Sequence, residues 1–479
     1  MAESRVERLT AAISRADLHR RHGRVSDLIG LIVEATGLEA EVGEVCEIAT
    51  GRSRAAVPAE VVGFRSRRTL LMPLGDLHGI GPGNVVTATG EPVRVTVGDE
   101  LLGRVLDGLG RPLDDGEELP AGRVRSADGS PPDPLDRPRI RERVGLGVRT
   151  LDGMVPCGRG QRLGIFAGSG VGKSSLLGMI ARSTTADINV ICLVGERGRE
   201  VREFIERDLG DAIERSVVVV ATSDQPALVR IKAALTATSI AEHFRDRGND
   251  VLLMMDSVTR FAMAQREVGL AIGEPPATRG YTPSVFALLP KLLERSGTSA
   301  AGSITGLYTV LVDGDDMNEP IADAVRSILD GHVVLTRELA HAGHYPAIDV
   351  LQSVSRLVDE ISAPDVAAAA QEVRSLLAAW HDKRDLVAIG AYEAGSDPLV
   401  DRAIALKPAI DAFLRQPVDA PSTAQEADEG LLGLVADDIV AAVAAEIEAE
   451  STADVVPIER AMSYPPSGPV AIPPLNLSV

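Results

Sequence analysis

The sequence predicts an α/β fold: a core with a parallel sheet, a small β-barrel before it and a helical domain after it. In the core, residues 145–362, apolar strands alternate with helical patterns, which is typical of a parallel sheet with right-handed crossovers. Before it, residues 25–97 contain short β-branched runs separated by Gly, Pro and Asp roughly every 8 to 12 residues, which indicates an antiparallel barrel. After it, residues 363–416 carry apolar side chains at helical spacing.

The composition limits the function classes. A chain of 479 residues with 45% apolar residues can build two or three packed domains, and its net charge of −20 argues against general binding to nucleic acid. Cys46, Cys157 and Cys192 lack the spacing of a zinc site and are interpreted as reduced thiols. No apolar run reaches the roughly 18 residues that a membrane helix needs, and the N-terminus lacks the apolar segment of a signal peptide. We therefore expect a cytoplasmic protein.

Three further segments lie outside these domains. Residues 1–24 contain six arginines and two histidines around an apolar stripe, which predicts a basic amphipathic helix. This helix could fold onto its own domain, but on an acidic protein a role in docking to a partner or an anionic membrane is favoured. Residues 98–144 are rich in Pro and Asp and are interpreted as a linker. Residues 417–479 contain eleven acidic residues and one basic residue, and we expect a largely disordered tail.

A glycine-rich loop provides the first functional signal. The strand RLGIFA is followed by this loop and then by a helical pattern, which is the context of a phosphate-binding P-loop and of a RecA-like core. Its backbone N–H groups and the cation of Lys173 suit the phosphates of ATP, and the Ser174 hydroxyl suits Mg²⁺. The first glycine of the usual pattern is replaced by Ala167. The predicted nucleotide-binding residues of the loop are Gly168, Ser169, Gly170, Val171, Gly172, Lys173, Ser174 and Ser175.

Two carboxylates follow strands of the same unit. Asp256 ends the apolar strand VLLMMD, and with a P-loop nearby we expect it to hold Mg²⁺, partly through water. Glu196 follows the strand NVICLV, the next strand after the P-loop helix, so it should emerge at the same edge of the sheet. A carboxylate there can orient and deprotonate an attacking water. The sequence therefore predicts ATP hydrolysis.

Several long motifs occur together in one order. The strings AGSGVGKSSLLGMIAR, LVGERGREVREFIERDLG, MDSVTRFAMAQREVGLAIGEPPATRGYTPSVFALLPKLLERSG, DPLDRPRI and HAGHYPAIDVLQSVSR resemble the flagellar type III export ATPase family, known as flagellum-specific ATP synthase. That family is in turn similar to the catalytic subunit of the rotary ATP synthases. The resemblance covers about residues 20–415.

The resemblance implies roles for individual residues. Glu196 matches the catalytic glutamate, while Lys173, Arg197 and Arg260 match basic residues around the γ-phosphate. Arg356 matches an arginine finger that acts on the nucleotide of a neighbouring subunit, and Tyr345 matches the aromatic residue beside adenine.

The resemblance also implies partners and a location. They are a homohexameric ring at the cytoplasmic face of the export apparatus, a stator-like regulatory protein at the N-terminal helix, the export gate, chaperones and exported proteins.

Three alternatives remain at this point. A noncatalytic ring subunit of the rotary synthases would carry glutamine in place of Glu196, and a Rho-like RNA helicase would need a basic barrel with interleaved aromatic residues, which residues 25–97 lack. An ATPase of an injectisome is harder to separate. Those ATPases tend to carry a loop ending in GCGKT, so AGSGVGKS favours the flagellar branch.

Overall fold

The computed structural model describes residues 21–436, apart from 52–54, 117, 121, 313 and 315. Most of the predicted N-terminal helix therefore lies outside the described residues. Its last three residues, 22–24, belong to a strand that begins at His22, because alternate side chains of HGRV already point into the barrel. No helix of the described part of the chain is long and apolar enough to cross a membrane.

The strands, in chain order, are β1 (His22–Ile29), β2 (Ile32–Thr36), β3 (Val45–Ile48), β4 (Val57–Arg65), β5 (Arg68–Pro73), β6 (Val85–Ala88), β7 (Arg94–Val97), β8 (Val105–Asp107), β9 (Arg123–Ser126), β10 (Arg143–Val144), β11 (Cys157–Gly158), β12 (Arg162–Ala167), β13 (Ile188–Val194), β14 (Ser216–Ala221), β15 (Asp250–Asp256), β16 (Gly297–Thr298), β17 (Ser303–Leu311), β18 (Gly331–Leu335) and β19 (Ile348–Ser355). The α-helices span Arg149–Met154, Lys173–Ser183, Gly198–Glu203, Ala227–Arg245, Val258–Ile272, Pro283–Leu293, Pro320–Ile328, Arg337–His341, Val358–Ile361, Pro364–Ala388, Pro398–Leu414 and Ala424–Val435. Short 3₁₀ segments occur at Asp99–Leu101, Pro134–Asp136, Gly210–Arg215 and Thr278–Gly280, and a π-helical turn at Phe204–Leu209.

The first six strands form a closed barrel in the order β1-β2-β5-β4-β3-β6. Its interior is filled by the inward-facing half of each alternating run, including Val33, Cys46, Val61 and Leu71, all without exposed surface. The predicted barrel of residues 25–97 is too long at its C-terminal end. β7 pairs with β9 in a separate two-stranded sheet and is not a strand of the barrel.

The second sheet has the order β19-β18-β12-β17-β15-β13-β14-β8, with β16 attached to β17. From β18 to β8 neighbouring strands are parallel, whereas β19 runs antiparallel to β18. Helices cover both faces, so β13 and β14 are buried along their whole length and consist mainly of Val, Ile and Leu. The predicted linker of residues 98–144 is partly a sheet region, since it contributes β8 to this sheet and also contains β9. The structure thus contains the barrel, the P-loop core and the helical domain, which confirms the predicted fold class.

The helical domain is larger than predicted. Helices Pro364–Ala388 and Pro398–Leu414 pack against each other, and a third helix, Ala424–Val435, packs on both. This helix lies in the segment interpreted as a disordered acidic tail. Glu426 and Glu429 face outward, Asp428 pairs with Arg143, and Ala427, Leu431 and Leu434 are buried in the core. The ordered domain therefore continues to about residue 436, and the rest of the predicted tail, residues 437–479, is outside the described residues.

Two truncations test this boundary. A chain that ends at Pro417 loses the burial of Leu431 and Leu434 and the ion pair of Arg143 with Asp428 at 2.8 Å. Each buried leucine contributes about 2 kcal/mol, so we expect the melting temperature to fall by roughly 10 °C. A chain that ends at Ala436 should melt close to the full-length protein. Equal melting temperatures for the two truncated chains in thermal unfolding would show that the helix adds no stability.

Candidate active site

The P-loop lies at the carboxyl edge of the parallel sheet. β12 ends at Ala167, and the helix that begins at Lys173 turns its N-terminus toward the loop. Gly172 has a φ of 88°, a left-handed conformation that favours glycine and aims the following N–H groups inward. The loop residues 168–172 thus form a backbone cradle of the kind that binds phosphate at a helix N-terminus.

Lys173 and Asp256 form the centre of the site. The ammonium Nζ of Lys173 is 2.5 Å from Oδ1 of Asp256 and 3.8 Å from Oε1 of Glu196. The three side chains meet because β12, β15 and β13 are parallel and end at one edge of the sheet. This is the convergence that the sequence predicts.

Thr309 is a residue of the site that the sequence reasoning did not identify. It lies on β17, between β12 and β15, and its hydroxyl donates to Oδ1 of Asp256 at 2.6 Å. The side chain is fully buried, so this hydrogen bond fixes the orientation of the carboxylate. The available signal was a threonine in the buried and mostly apolar run LYTVL.

The environment of Glu196 suits a proton acceptor. Burial, and next the negative charge of Asp256, raise the pKa of Glu196 to about 7, although Lys173 acts in the opposite direction. A carboxylate whose pKa is close to neutral accepts a proton more readily than an ordinary exposed one. Its backbone is anchored as well, because the carbonyl of Glu196 accepts a hydrogen bond from the N–H of Ser223 at 3.1 Å.

Arg260 and Arg197 flank this carboxylate in different ways. The alkyl part of Arg260 packs on Gly195, where an added Cβ would come within 3.0 Å of it. Arg197 precedes the helix Gly198–Glu203 and is exposed, with an ion-pair distance of 3.6 Å to Glu200. The structure therefore places Arg260 beside the Glu196 loop, whereas the Arg197 side chain extends into solvent.

Tyr345 lies against the P-loop. A Cβ added to Gly172 would come within 3.4 Å of the Tyr345 ring, and the side chain is 45% exposed. Its carbonyl accepts a hydrogen bond from the N–H of Gln416 at 2.9 Å, which ties it to the helical domain. An aromatic ring with a free face is thus held next to the phosphate cradle.

Arg356 lies at the opposite edge of the sheet. It follows β19, whose last residue, Ser355, pairs with Gly331 at the start of β18, while Ala167 at the P-loop pairs with Leu335 at the end of β18. Four residues of strand separate the two levels, or roughly 13 Å. The Arg356 side chain is exposed, with its guanidinium 3.5 Å from the carbonyl of Arg326, and its backbone N–H donates to the carbonyl of Asp330. The chain therefore does not bring Arg356 to its own nucleotide site.

The oxygen donors at the site fit Mg²⁺. The described residues contain no group of three or more His, Cys, Asp or Glu side chains that could hold a metal by themselves. Mg²⁺ instead takes one or two protein oxygens and completes its shell with phosphate oxygens and water. The Ser174 hydroxyl and the Asp256 carboxylate are suitable donors for this arrangement.

Comparison with known proteins assigns all three parts of the chain. Family models match residues 25–90 (ATP synthase alpha/beta family, beta-barrel domain), 147–355 (ATP synthase alpha/beta family, nucleotide-binding domain) and 362–432 (T3SS EscN ATPase C-terminal domain). The flagellum-specific ATP synthase of Bacillus subtilis is 55% identical over 433 residues, which cover 90% of this chain and 99% of that protein. The chain belongs to the flagellar and type III secretion ATPase family. This confirms the family predicted from the motifs, and the protein is an ATPase.

Members of both branches resemble this ATPase. The type 3 secretion system ATPase of Xanthomonas euvesicatoria is 49% identical over 439 residues, covering 91% of this chain and 98% of that protein. The assembled ATPase EscN of the enteropathogenic E. coli type III secretion system matches with a TM-score of 0.82 and 47% identity, over 86% of this chain and all of the solved EscN chain. EscN has also been solved in complex with its central stalk EscO, with a TM-score of 0.80, 46% identity and the same two coverages.

Proposed function

We propose that this ATPase hydrolyses Mg·ATP in a ring of six copies and uses the reaction to unfold and export proteins through a flagellar type III apparatus. One observation carries the proposal of a ring. Lys173, Glu196 and Asp256 meet at the P-loop, whereas Arg356 lies at the opposite edge of the same sheet. A site that uses all four residues needs two subunits.

In the proposed reaction, each side chain has a separate task. Lys173 leaves Asp256 and binds the β- and γ-phosphate oxygens, as the lysine of a P-loop does. Mg²⁺, held by Ser174 and Asp256 together with phosphate and water, would neutralise phosphate charge. Glu196 orients a water molecule and accepts its proton as the water oxygen bonds to the γ-phosphorus and the bond to the β-phosphate oxygen breaks. ADP and inorganic phosphate are the products.

Three other residues complete the proposed site. Arg260, beside the Glu196 loop, would reach the γ-phosphate, and Arg197 would do so only after its exposed side chain turns inward. Tyr345 would stack on adenine with the ring face that does not contact Gly172. Arg356 of the neighbouring subunit would stabilise the charge that shifts from the γ-phosphoryl group to the leaving oxygen.

The flagellar branch is favoured over the injectisome branch. The P-loop reads AGSGVGKS and not the GCGKT form, and the Bacillus subtilis flagellar relative, at 55% identity, exceeds the Xanthomonas type 3 secretion relative, at 49%.

The proposed partners follow from this assignment. They are other copies of the chain, a stator-like regulatory protein at the N-terminal helix predicted for residues 1–24, the export gate, chaperones and exported proteins, at the cytoplasmic face of the apparatus. Contact of the basic N-terminal segment with anionic membrane is part of the same proposal.

Removal of residues 1–20 should then weaken export in cells and leave ATP turnover of the purified ring nearly unchanged.

A complementation experiment tests the function. In a flagellated bacterium that lacks its own export ATPase, this chain should restore filaments and swimming, while Lys173→Ala should restore neither. Lys291→Ala is the matched control, because Lys291 is exposed on the helix Pro283–Leu293, away from the P-loop. Rescue of an injectisome lacking its ATPase, without rescue of swimming, would assign the chain to the injectisome branch.

A further inference from the structure

The strand that precedes Arg356, β19, is irregular in its middle. His332 pairs with Val354 and Val334 pairs with Asp349, so two residue steps on β18 correspond to five on β19. Residues 350–353 therefore bulge out of the ladder. Bulges of this kind redirect the following side chains and need other groups to satisfy their backbone.

Side chains of the bulge satisfy part of this backbone. The Asp349 carboxylate accepts hydrogen bonds from the N–H groups of Leu351 and Gln352, at 2.9 and 3.1 Å. The Ser353 hydroxyl donates to the carbonyl of Asp349 at 2.6 Å and accepts from the N–H of Val334 at 3.0 Å. The N–H groups and the hydroxyl are thus satisfied within the sheet, but these contacts do not reach the carbonyls of Val350 and Ser353.

A single guanidinium group binds these two carbonyls. Nη1 of Arg374 donates to the carbonyl oxygens of Val350 and Ser353, the latter at 3.1 Å. Nη2 donates to the carbonyl of Met154 at 2.7 Å, at the end of the short helix Arg149–Met154. Arg374 itself belongs to the helix Pro364–Ala388 of the helical domain. The planar fork of arginine is suited to several acceptors at once, which lysine cannot match.

We propose that Arg374 is a positioning residue for Arg356: it links the helical domain to the bulge of β19 and so sets the place of the arginine presented to the next subunit. Only Val354 and Ser355 separate the bulge from Arg356. Without Arg374, the carbonyls of Val350 and Ser353, which lie on residues 4% and 0% exposed, lose their partner. The bulge would then relax and move Arg356. This inference rests on the proposed action of Arg356 on the neighbouring site.

Mixed rings separate this role from a general effect on folding. Arg356→Ala subunits keep a complete P-loop but need a finger, while Lys173→Ala subunits cannot bind phosphate normally but can provide one. Mixed rings of the two variants should regain ATP turnover, with the Lys173→Ala subunit as the donor of the finger. If the donor carries Lys173→Ala together with Arg374→Met, the regained turnover should fall at least about tenfold, since a displacement near 1 Å can cost about a hundredfold.

The matched control is a donor with Lys173→Ala and Arg402→Met. This control also replaces an arginine of the helical domain by methionine. Arg402 pairs with Glu372 on the helix that carries Arg374. This donor should rescue as well as Lys173→Ala alone. Mixed-ring formation is followed by native mass spectrometry, so that a failure of assembly is not read as a failure of the finger.

A second mixture excludes a purely structural effect. Arg374→Met subunits mixed with Lys173→Ala subunits should hydrolyse ATP, because their own sites are intact and receive normal fingers. Loss of turnover in this mixture would overturn the role of Arg374. Full rescue of Arg356→Ala subunits by the donor that carries both Lys173→Ala and Arg374→Met would overturn it as well. If the simple Lys173→Ala donor gives no rescue, the action of Arg356 between subunits fails, and this inference fails with it. If Arg374→Met does not fold, Arg374→Lys replaces it, since lysine keeps the charge but has one nitrogen where the guanidinium uses two to reach the three carbonyls.

Discussion

Arg356→Ala is expected to lower ATP turnover by roughly 10³ to 10⁵, the range measured for arginine fingers in phosphoryl transfer. The reason is electrostatic: the guanidinium would stabilise charge that appears only as the bond to the leaving phosphate oxygen breaks. Binding of Mg·ATP to the subunit that provides the P-loop should remain within a few-fold, because the ground state makes less use of this contact. Single-turnover hydrolysis and equilibrium binding of a fluorescent ATP analogue measure the two quantities.

The control for this variant is Arg247→Ala. Arg247 is exposed and pairs with Asp99 at 2.6 Å, and surface ion pairs of this kind contribute little to stability. It should leave both turnover and ring formation unchanged. If Arg356→Ala hydrolyses ATP at the normal rate in rings of normal size, Arg356 has only a structural role, as a residue that bonds to the carbonyls of Asp330 and Arg326.

Glu196→Gln is expected to lower turnover by about 10² or more while Mg·ATP still binds. Glutamine keeps the size of the side chain and its ability to orient water, but it cannot accept the proton. The elevated pKa of Glu196, caused first by burial and then by Asp256, is lost with the carboxylate. Pre-steady-state hydrolysis should show slow chemistry with no delay in nucleotide binding.

Glu203→Gln gives the matched comparison for this change. Glu203 ends the short helix that follows the Glu196 loop, and its carboxylate lies 3.5 Å from Arg199 at the surface. The same substitution there should leave hydrolysis near normal. Near-normal hydrolysis by Glu196→Gln itself would transfer the role of base to another group.

The sequence predicts the P-loop edge well because parallel strands place their carboxyl ends together. Lys173, Asp256 and Glu196 each follow an apolar strand, so their convergence requires only the order of strands and helices. Thr309 was missed because β17 carries four hydroxyl-bearing residues, Ser303, Thr305, Tyr308 and Thr309, and their spacing does not single out the one that reaches Asp256. The bulge of β19 was missed for another reason, since two of its carbonyls are bound by Arg374, which lies in a different domain.

The error at the C-terminal end has a local cause. An acidic composition was given more weight than the start signal Thr423-Ala-Gln-Glu426, in which each terminal side chain bonds to the backbone of the other. This capping box marks the beginning of Ala424–Val435. Small residues then permit close packing, as at Gly430, where an added Cβ would come within 3.1 Å of the Phe413 ring. Glycine and alanine therefore indicated contact here and not disorder.

The antiparallel direction of β19 has a consequence for the cell. Because this strand returns the chain to the far edge of the sheet, a newly synthesised subunit carries Arg356 and the P-loop at separate places, and under the proposed role of Arg356 it cannot complete its own catalytic centre. Under the proposed function, a free copy can hold nucleotide but turns it over slowly. Rapid ATP hydrolysis is thereby confined to assembled rings, and a reserve of unassembled subunits does not deplete the ATP pool.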